Sequence, residues 1–175
     1  MSLTFYYLFI FLLVTTTIVQ VWLTRRHIKH IQANKSKVPE PFSKTISTKD
    51  HKKAADYTIS KSRIGIIDLF IQAIFLYLIT IGGGINIFTN AYSNFSDNQL
   101  LIGSMVIVSV MLASSIIDLP LSIYKIFNID ERFGFNRMTA KIFISDLIKQ
   151  SILSLVIGIP ILLASLWIIS NLGNL

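Results

Sequence analysis

Four long stretches of this chain are almost free of charge, and no other feature limits its folding so tightly. Residues 3–23 carry no charged side chain at all. As a helix rising 1.5 Å per residue, this run reaches roughly 31 Å, about one bilayer hydrocarbon core. Residues 64–88 are interrupted only by Asp68 and by Gly82, Gly83 and Gly84. Residues 100–127 carry Asp118, Pro120 and, near their end, Lys125. Residues 151–169 are uncharged, with Gly158 and Pro160 inside. Membrane helices tolerate interior Gly and Pro where neighbouring groups re-satisfy the backbone. The expected fold is therefore all-α: an integral membrane protein with four transmembrane helices and two cytoplasmic polar loops.

Composition agrees. Only 14% of the residues are charged and 53% are hydrophobic, whereas about a quarter of a soluble domain is charged. Cysteine is absent, which excludes a disulfide framework and a thiolate metal site. The first apolar run does not read as a cleaved signal peptide. Its leading residues, MSLTFYY, hold no Lys or Arg, its cations (Arg25, Arg26, Lys29) follow it, and no small-x-small cleavage site precedes them. It reads as a retained span.

The net charge of +7 matters less than where it sits. Segment 24–63 holds eleven Lys/Arg against three acids, segment 89–99 holds Asp97 and no cation, and segment 128–150 holds Arg132, Arg137, Lys141 and Lys149. Positive loops stay cytoplasmic. The amino terminus is thus expected outside, loops 24–63 and 128–150 inside, and the carboxyl end outside. Membrane lipid is the partner implied, not nucleic acid.

Two polar segments stand out. The first, HKKAADYTISKSR, occupies residues 51–63 beside the second span. Ser47 or Thr48 is placed to cap a helix running through it. On such a helix Asp56, Ser60 and Arg63 share a face. Ahead of it, residues 25–37 read as an extension of the first helix plus a turn, and VPEPF as a proline-punctuated break. The plain reading of the segment is a juxtamembrane helix whose cations meet anionic headgroups. The second segment, YKIFNIDERFGFNRMT (residues 124–139), interleaves aromatic and charged side chains. Gly134 between two Phe suggests a backbone position that excludes a Cβ.

Chemistry within the chain is sparse. His27 and His30 are spaced for one helix face, but no H-E-x-x-H accompanies them. The triple glycine lacks the Lys and Ser/Thr of a phosphate loop. No metal site is expected in this chain. Asp68 and Asp118 lie at membrane depth, where ionisable groups are costly and often functional. Arg63 and Lys125 are available to pair with them, so structural ion pairs and a functional polar pocket both stay open.

Together these stretches resemble the type-1 CAAX prenyl proteases, integral membrane zinc metalloproteases. HKKAADYTISKSR is similar to that family's H-x-K-A-x-D-Y-x-x-x-K-x-R segment, and IDERFGFNRMT to its I-E-x-x-F-G-F-N-x-x-T segment, with Asp130 where the family commonly has Glu. LPLSIYKIF, the VP of the first loop, the glycine run and DLIK fall in matching order. The resemblance covers nearly the whole chain, but the family's H-E-x-x-H and distal Glu lie beyond the region matched. It implies that residues 1–175 form an amino-terminal membrane domain, not catalytic by itself and without the metallopeptidase domain. Such a domain walls an intramembrane chamber and docks the protease domain. Zinc is then a cofactor of the full-length family enzyme, none being implied in this chain. An H-E-x-x-H domain in cis or trans is the implied partner, and a peptide or prenylated peptide the implied substrate. His51, Lys53, Asp56, Tyr57, Lys61, Arg63, Glu131, Gly134 and Asn136 become docking or substrate-facing candidates. Asp56, Lys61 and Arg63 would form ion pairs with that domain or with the third loop, where Glu131 and Asn136 are candidate partners. A bacterial inner membrane suits the composition, with the endoplasmic reticulum as the alternative. A stand-alone four-helix scaffold binding anionic lipid is the competing function. A small transporter subunit using the two buried acids ranks below it, since no inverted repeat is evident.

Overall fold

The computed structural model describes residues 3–172. Five helices follow in chain order, with no strand among the described residues: α1 (Leu3–Asn34), α2 (Thr48–Thr80), α3 (Gly84–Ser93), α4 (Gln99–Tyr124) and α5 (Ala140–Leu172). A short 3-10 turn, Glu40–Phe42, lies between α1 and α2 at the proline-punctuated segment. α4 continues without a break into a π-helical turn, Lys125–Asp130. α1, α2, α4 with its π turn, and α5 are long and apolar enough to cross a membrane. The chain is an all-helical integral membrane protein, as its uncharged runs require.

The helices outrun those apolar stretches. α1 spans 32 residues, roughly 48 Å at 1.5 Å per residue, so its basic end projects beyond a hydrocarbon core. α2 begins at Thr48, well ahead of Ile64. The polar segment 128–150, expected as a loop, is helical from Ala140 and again up to Asp130. A helix satisfies its own backbone in water as well as in lipid, so polar residues that favour helix prolong it past the interface.

Local chemistry sets the ends. Ser47 caps α2: its Oγ accepts from the Asp50 amide at 3.1 Å and donates to the Asp50 carboxylate at 2.6 Å. One orphan amide of the first turn, that of Asp50, thereby gains a partner, and the Asp50 carboxylate complements the helix dipole. Gly83 separates α2 from α3 with φ at +84°, a left-handed conformation that glycine adopts at little cost. An added Cβ there would meet nothing within 4 Å. The dihedral, not crowding, calls for glycine.

Two compact units can be distinguished. The first holds the chain up to Ile81 together with Asp118–Asn136. In it α1 packs along α2, and α2 packs on the π turn. Ile28, Ala55, Ile59 and Ile129 are its buried side chains. The second holds Gly82–Ile117 and the chain from Arg137 onward. There Ile102, Ser104 and Val106 of α4 are buried, and Tyr92 of α3 shares a 2.5 Å hydrogen bond with Ser109 of α4. Leu166 of α5 lies 3.9 Å from where a Cβ on Gly103 of α4 would stand, an ordinary contact distance.

Candidate functional site

The first unit carries a polar seam. On α2, Tyr57, Lys61, Gly65, Asp68 and Gln72 recur at intervals of three or four residues, which places them on one helical face. Facing them are Asp118, Ser122, Lys125 and Asp130. Tyr57 and Lys61 meet Asp130, Asp68 meets Lys125, and Gln72 meets Asp118. As position rises on one helix it falls on the other, so the two run antiparallel.

At one end of the seam the two polar motifs meet. The Tyr57 hydroxyl accepts from Lys61 Nζ at 2.8 Å and donates to Asp130 Oδ1 at 2.9 Å. Lys61 and Asp130 themselves stand 3.4 Å apart. Lys61 precedes the apolar stretch that starts at Ile64. Its ammonium is held above the usual lysine range, first by the Tyr57 hydrogen bond and, against the opposing effect of burial, by the Asp130 charge. The Tyr57 ring packs edge-on to Phe133 and Phe135, with centroids 5.5 and 4.8 Å away, a favoured aromatic geometry. Lys53 lies over the Phe135 ring at 5.2 Å.

The FGFN turn is built by its own backbone. Phe135 and Asn136 amides donate to the Asp130 carbonyl at 2.8 and 3.1 Å, and the Gly134 amide donates to the Glu131 carbonyl at 2.9 Å. Gly134 has φ at +70°, and the nearest atom to an added Cβ would be Lys53 Nζ at 3.7 Å. Its requirement for glycine is conformational, not steric. Asn136 Nδ2 donates to Glu131 Oε2 at 2.9 Å, closing the turn from outside.

At the other end of the seam a recess of about 440 Å³ opens, lined by Gly65, Asp68, Leu69, Gln72, Asp118, Ser122 and Lys125. Asp68 and Lys125 form a 2.6 Å ion pair whose side chains remain 29–30% exposed. The Gln72 amide donates to the Asp118 carboxylate. The pocket therefore holds two carboxylates, one ammonium, an amide and a hydroxyl within otherwise apolar helices. Such a lining can bind polar groups and water at membrane depth, where each charge needs a partner.

The structure thus brings Asp68 and Asp118 into one pocket. Lys125 pairs with Asp68, and Asp118 takes an amide partner, so neither acid is matched with Arg63. Arg63 is exposed and makes no ion pair among the described residues. Lys61 does reach the second polar segment, but through Asp130, while Glu131 and Asn136 bond each other. Asp56 turns the other way and pairs with Lys35 at 3.0 Å, near the end of α1. His51 is half-buried near the start of α2. Gln72 and Ser122 escaped the sequence reading. Each stands four residues after an intramembrane Asp, a spacing that marks the same face. No three metal-ligating side chains converge among the described residues, so these residues do not fit a zinc centre.

Comparison with known proteins bears on the family and the fold. A family model described as CAAX prenyl protease N-terminal, five membrane helices, matches residues 27–175. The chain is 32% identical over 145 residues to the CAAX prenyl protease 1 homolog of Oryza sativa subsp. japonica, a match covering 78% of this chain and 34% of that protein. It is 29% identical over 168 residues to the Caenorhabditis elegans homolog, covering 95% of this chain and 37% of the relative. The crystal structure of S. mikatae Ste24p shares the fold with a TM-score of 0.80 at 23% identity, over 91% of this chain and 38% of that one. The chain spans about a third of the length of the rice and nematode relatives.

Proposed function

The chain belongs to the CAAX prenyl protease amino-terminal family, and from that membership we propose that it walls an intramembrane chamber and docks a zinc-dependent protease domain, without being catalytic itself. The observation that carries this reading is the meeting of the two polar motifs at Tyr57 and Asp130. A segment with no catalytic role in this chain is nonetheless cross-linked to a shaped turn. Tyr57 and Lys61 hold that turn through Asp130, and Gly134 supplies its left-handed residue. Lys53, Arg63 and Glu131, all exposed, would meet the incoming domain, as would His51 and Asn136. Asp56 steadies the base of α2 through Lys35.

Peptide hydrolysis of this class requires zinc to activate water and a carboxylate to take its proton. The described residues assemble neither, so an H-E-x-x-H domain in cis or trans supplies both, and the substrate is a peptide or prenylated peptide. The relatives named above are eukaryotic, which favours an endoplasmic reticulum membrane over a bacterial inner membrane. The polar segments face the cytoplasm, where the cations of residues 24–63 meet anionic headgroups.

The test is to capture the native product from membranes with an antibody to residues 35–47 and measure intact mass and zinc. A zinc-bearing species or complex well above 19.8 kDa, lost from the complex by Arg63→Glu or Glu131→Lys, supports docking. A zinc-free 19.8 kDa species that retains only anionic lipid would overturn it in favour of a stand-alone scaffold.

A further inference from the structure

The π turn Lys125–Asp130 solves a spacing problem. Lys125 reaches Asp68, and Asp130 reaches Tyr57 and Lys61, on the same face of α2. In an α-helix, residues five apart stand roughly 140° apart around the axis, so the two could not both face one neighbour. A π turn, bonded i to i+5, brings residues five apart onto one face, much as residues four apart share a face of an α-helix. Counted against an α-helix, this segment carries one extra residue. Such turns are rare, occur mostly as single turns inside α-helices, and are frequent at functional sites.

We propose that this turn is a register switch coupling the recess to the FGFN turn. Two clasps hold the π form, Lys125–Asp68 at its start and Asp130–Tyr57–Lys61 at its end. When the first clasp opens, the turn relaxes toward the α-helix that its backbone otherwise prefers. That rotation carries Asp130 away from Tyr57 and Lys61. The amides of Phe135 and Asn136 are tied to the Asp130 carbonyl, so the FGFN turn moves with it. The trigger is a charged group entering the recess and competing for Lys125 or Asp68, both of which stay partly exposed there. The turn is a two-state element that both ends bias, and coupling of this kind is reciprocal.

The test uses the full chain in membranes. The sequence has no cysteine, so Ile129→Cys introduces a single thiol at a position 4% exposed in the π form. Adding Asp68→Asn is expected to raise maleimide labelling of that thiol about tenfold. Deleting the exposed Asn128 restores a four-residue spacing that an α-helix aligns. That chain should keep both clasps, unfold at a higher temperature, and label at the same rate with or without Asp68→Asn. Unchanged labelling in the native spacing overturns the switch. So does an equal rise in the deleted chain, which marks general loosening, and so does a deletion that lowers thermal stability or prevents folding.

Discussion

Tyr57 and Asp130 lie 73 positions apart in sequence and are joined by a 2.9 Å hydrogen bond from the phenol to the carboxylate. The same phenol accepts from Lys61, and Lys61 itself stands 3.4 Å from Asp130, so ammonium, hydroxyl and carboxylate close a triangle. Tyr57→Phe would keep the ring contacts with Phe133 and Phe135 and remove only the hydroxyl. A hydrogen bond to a charged acceptor contributes about 1.5–3 kcal/mol when buried, and the half-buried setting here reduces that to about 1 kcal/mol. Thermal unfolding in detergent should show a modest fall in midpoint. Asp130→Ala should cost more than Tyr57→Phe, because it also strands Lys61.

The Asp68–Lys125 pair should show strong coupling. Removing one partner of a sequestered ion pair leaves an uncompensated charge, which costs more than removing both. Partial exposure of both side chains lowers the full penalty. Asp68→Asn and Lys125→Met are each expected to destabilise the chain by about 1–2 kcal/mol, with the double variant less affected than the two effects combined. A double-mutant cycle on unfolding midpoints measures this. Simple additivity would mean that the two side chains do not interact.

Gly134→Ala forces a side chain into a left-handed conformation, at a cost of about 1–2 kcal/mol. Nothing crowds the site, so Gly134→Asn, which tolerates that region better, should recover part of the loss. Equal damage from both substitutions would point to crowding instead. Comparing their unfolding midpoints separates the two causes.

Sidedness can be read by labelling. Single cysteines at Lys44→Cys and Asp97→Cys should react with an impermeant maleimide from opposite faces of sealed vesicles. Lys44→Cys is expected on the cytoplasmic face, following the excess of positive charge around it. Labelling of both from one face would rule out the four-span topology with both polar segments inside.

Much of the architecture was legible because it rests on one-dimensional signals. Uncharged runs mark the spans and Ser47 marks the start of α2, but the second run extends to Phe88, whereas α2 ends at Thr80 and Gly83 opens a separate helix, α3. The seam was harder to see. Asp56, Ser60 and Arg63 share a face as truly as Tyr57, Lys61 and Asp68 do, and only the partner helix decides which face is used. That partner is set by α4 running on through a π turn, which shifts register by one residue and leaves no composition signal. Lys125 could be foreseen as an ion-pair partner, but not that Asp68 would take it while Asp118 took Gln72. The helical start of α5 at Ala140 was missed because polar residues were read as loop.

Among its described residues the first unit buries only Ile28, Ala55, Ile59 and Ile129, and its long helices otherwise present Leu, Ile and Phe outward. In lipid this apolar exterior is interchangeable, since acyl tails resemble leucine and grease alone cannot select a neighbour. Selection falls to a few polar cross-links between α2 and the end of α4. Most of the surface is then left to drift, and divergent sequences can keep one helical arrangement. A catalogue of substitutions harmful to this chain should therefore be short, and clustered along a single line of side chains.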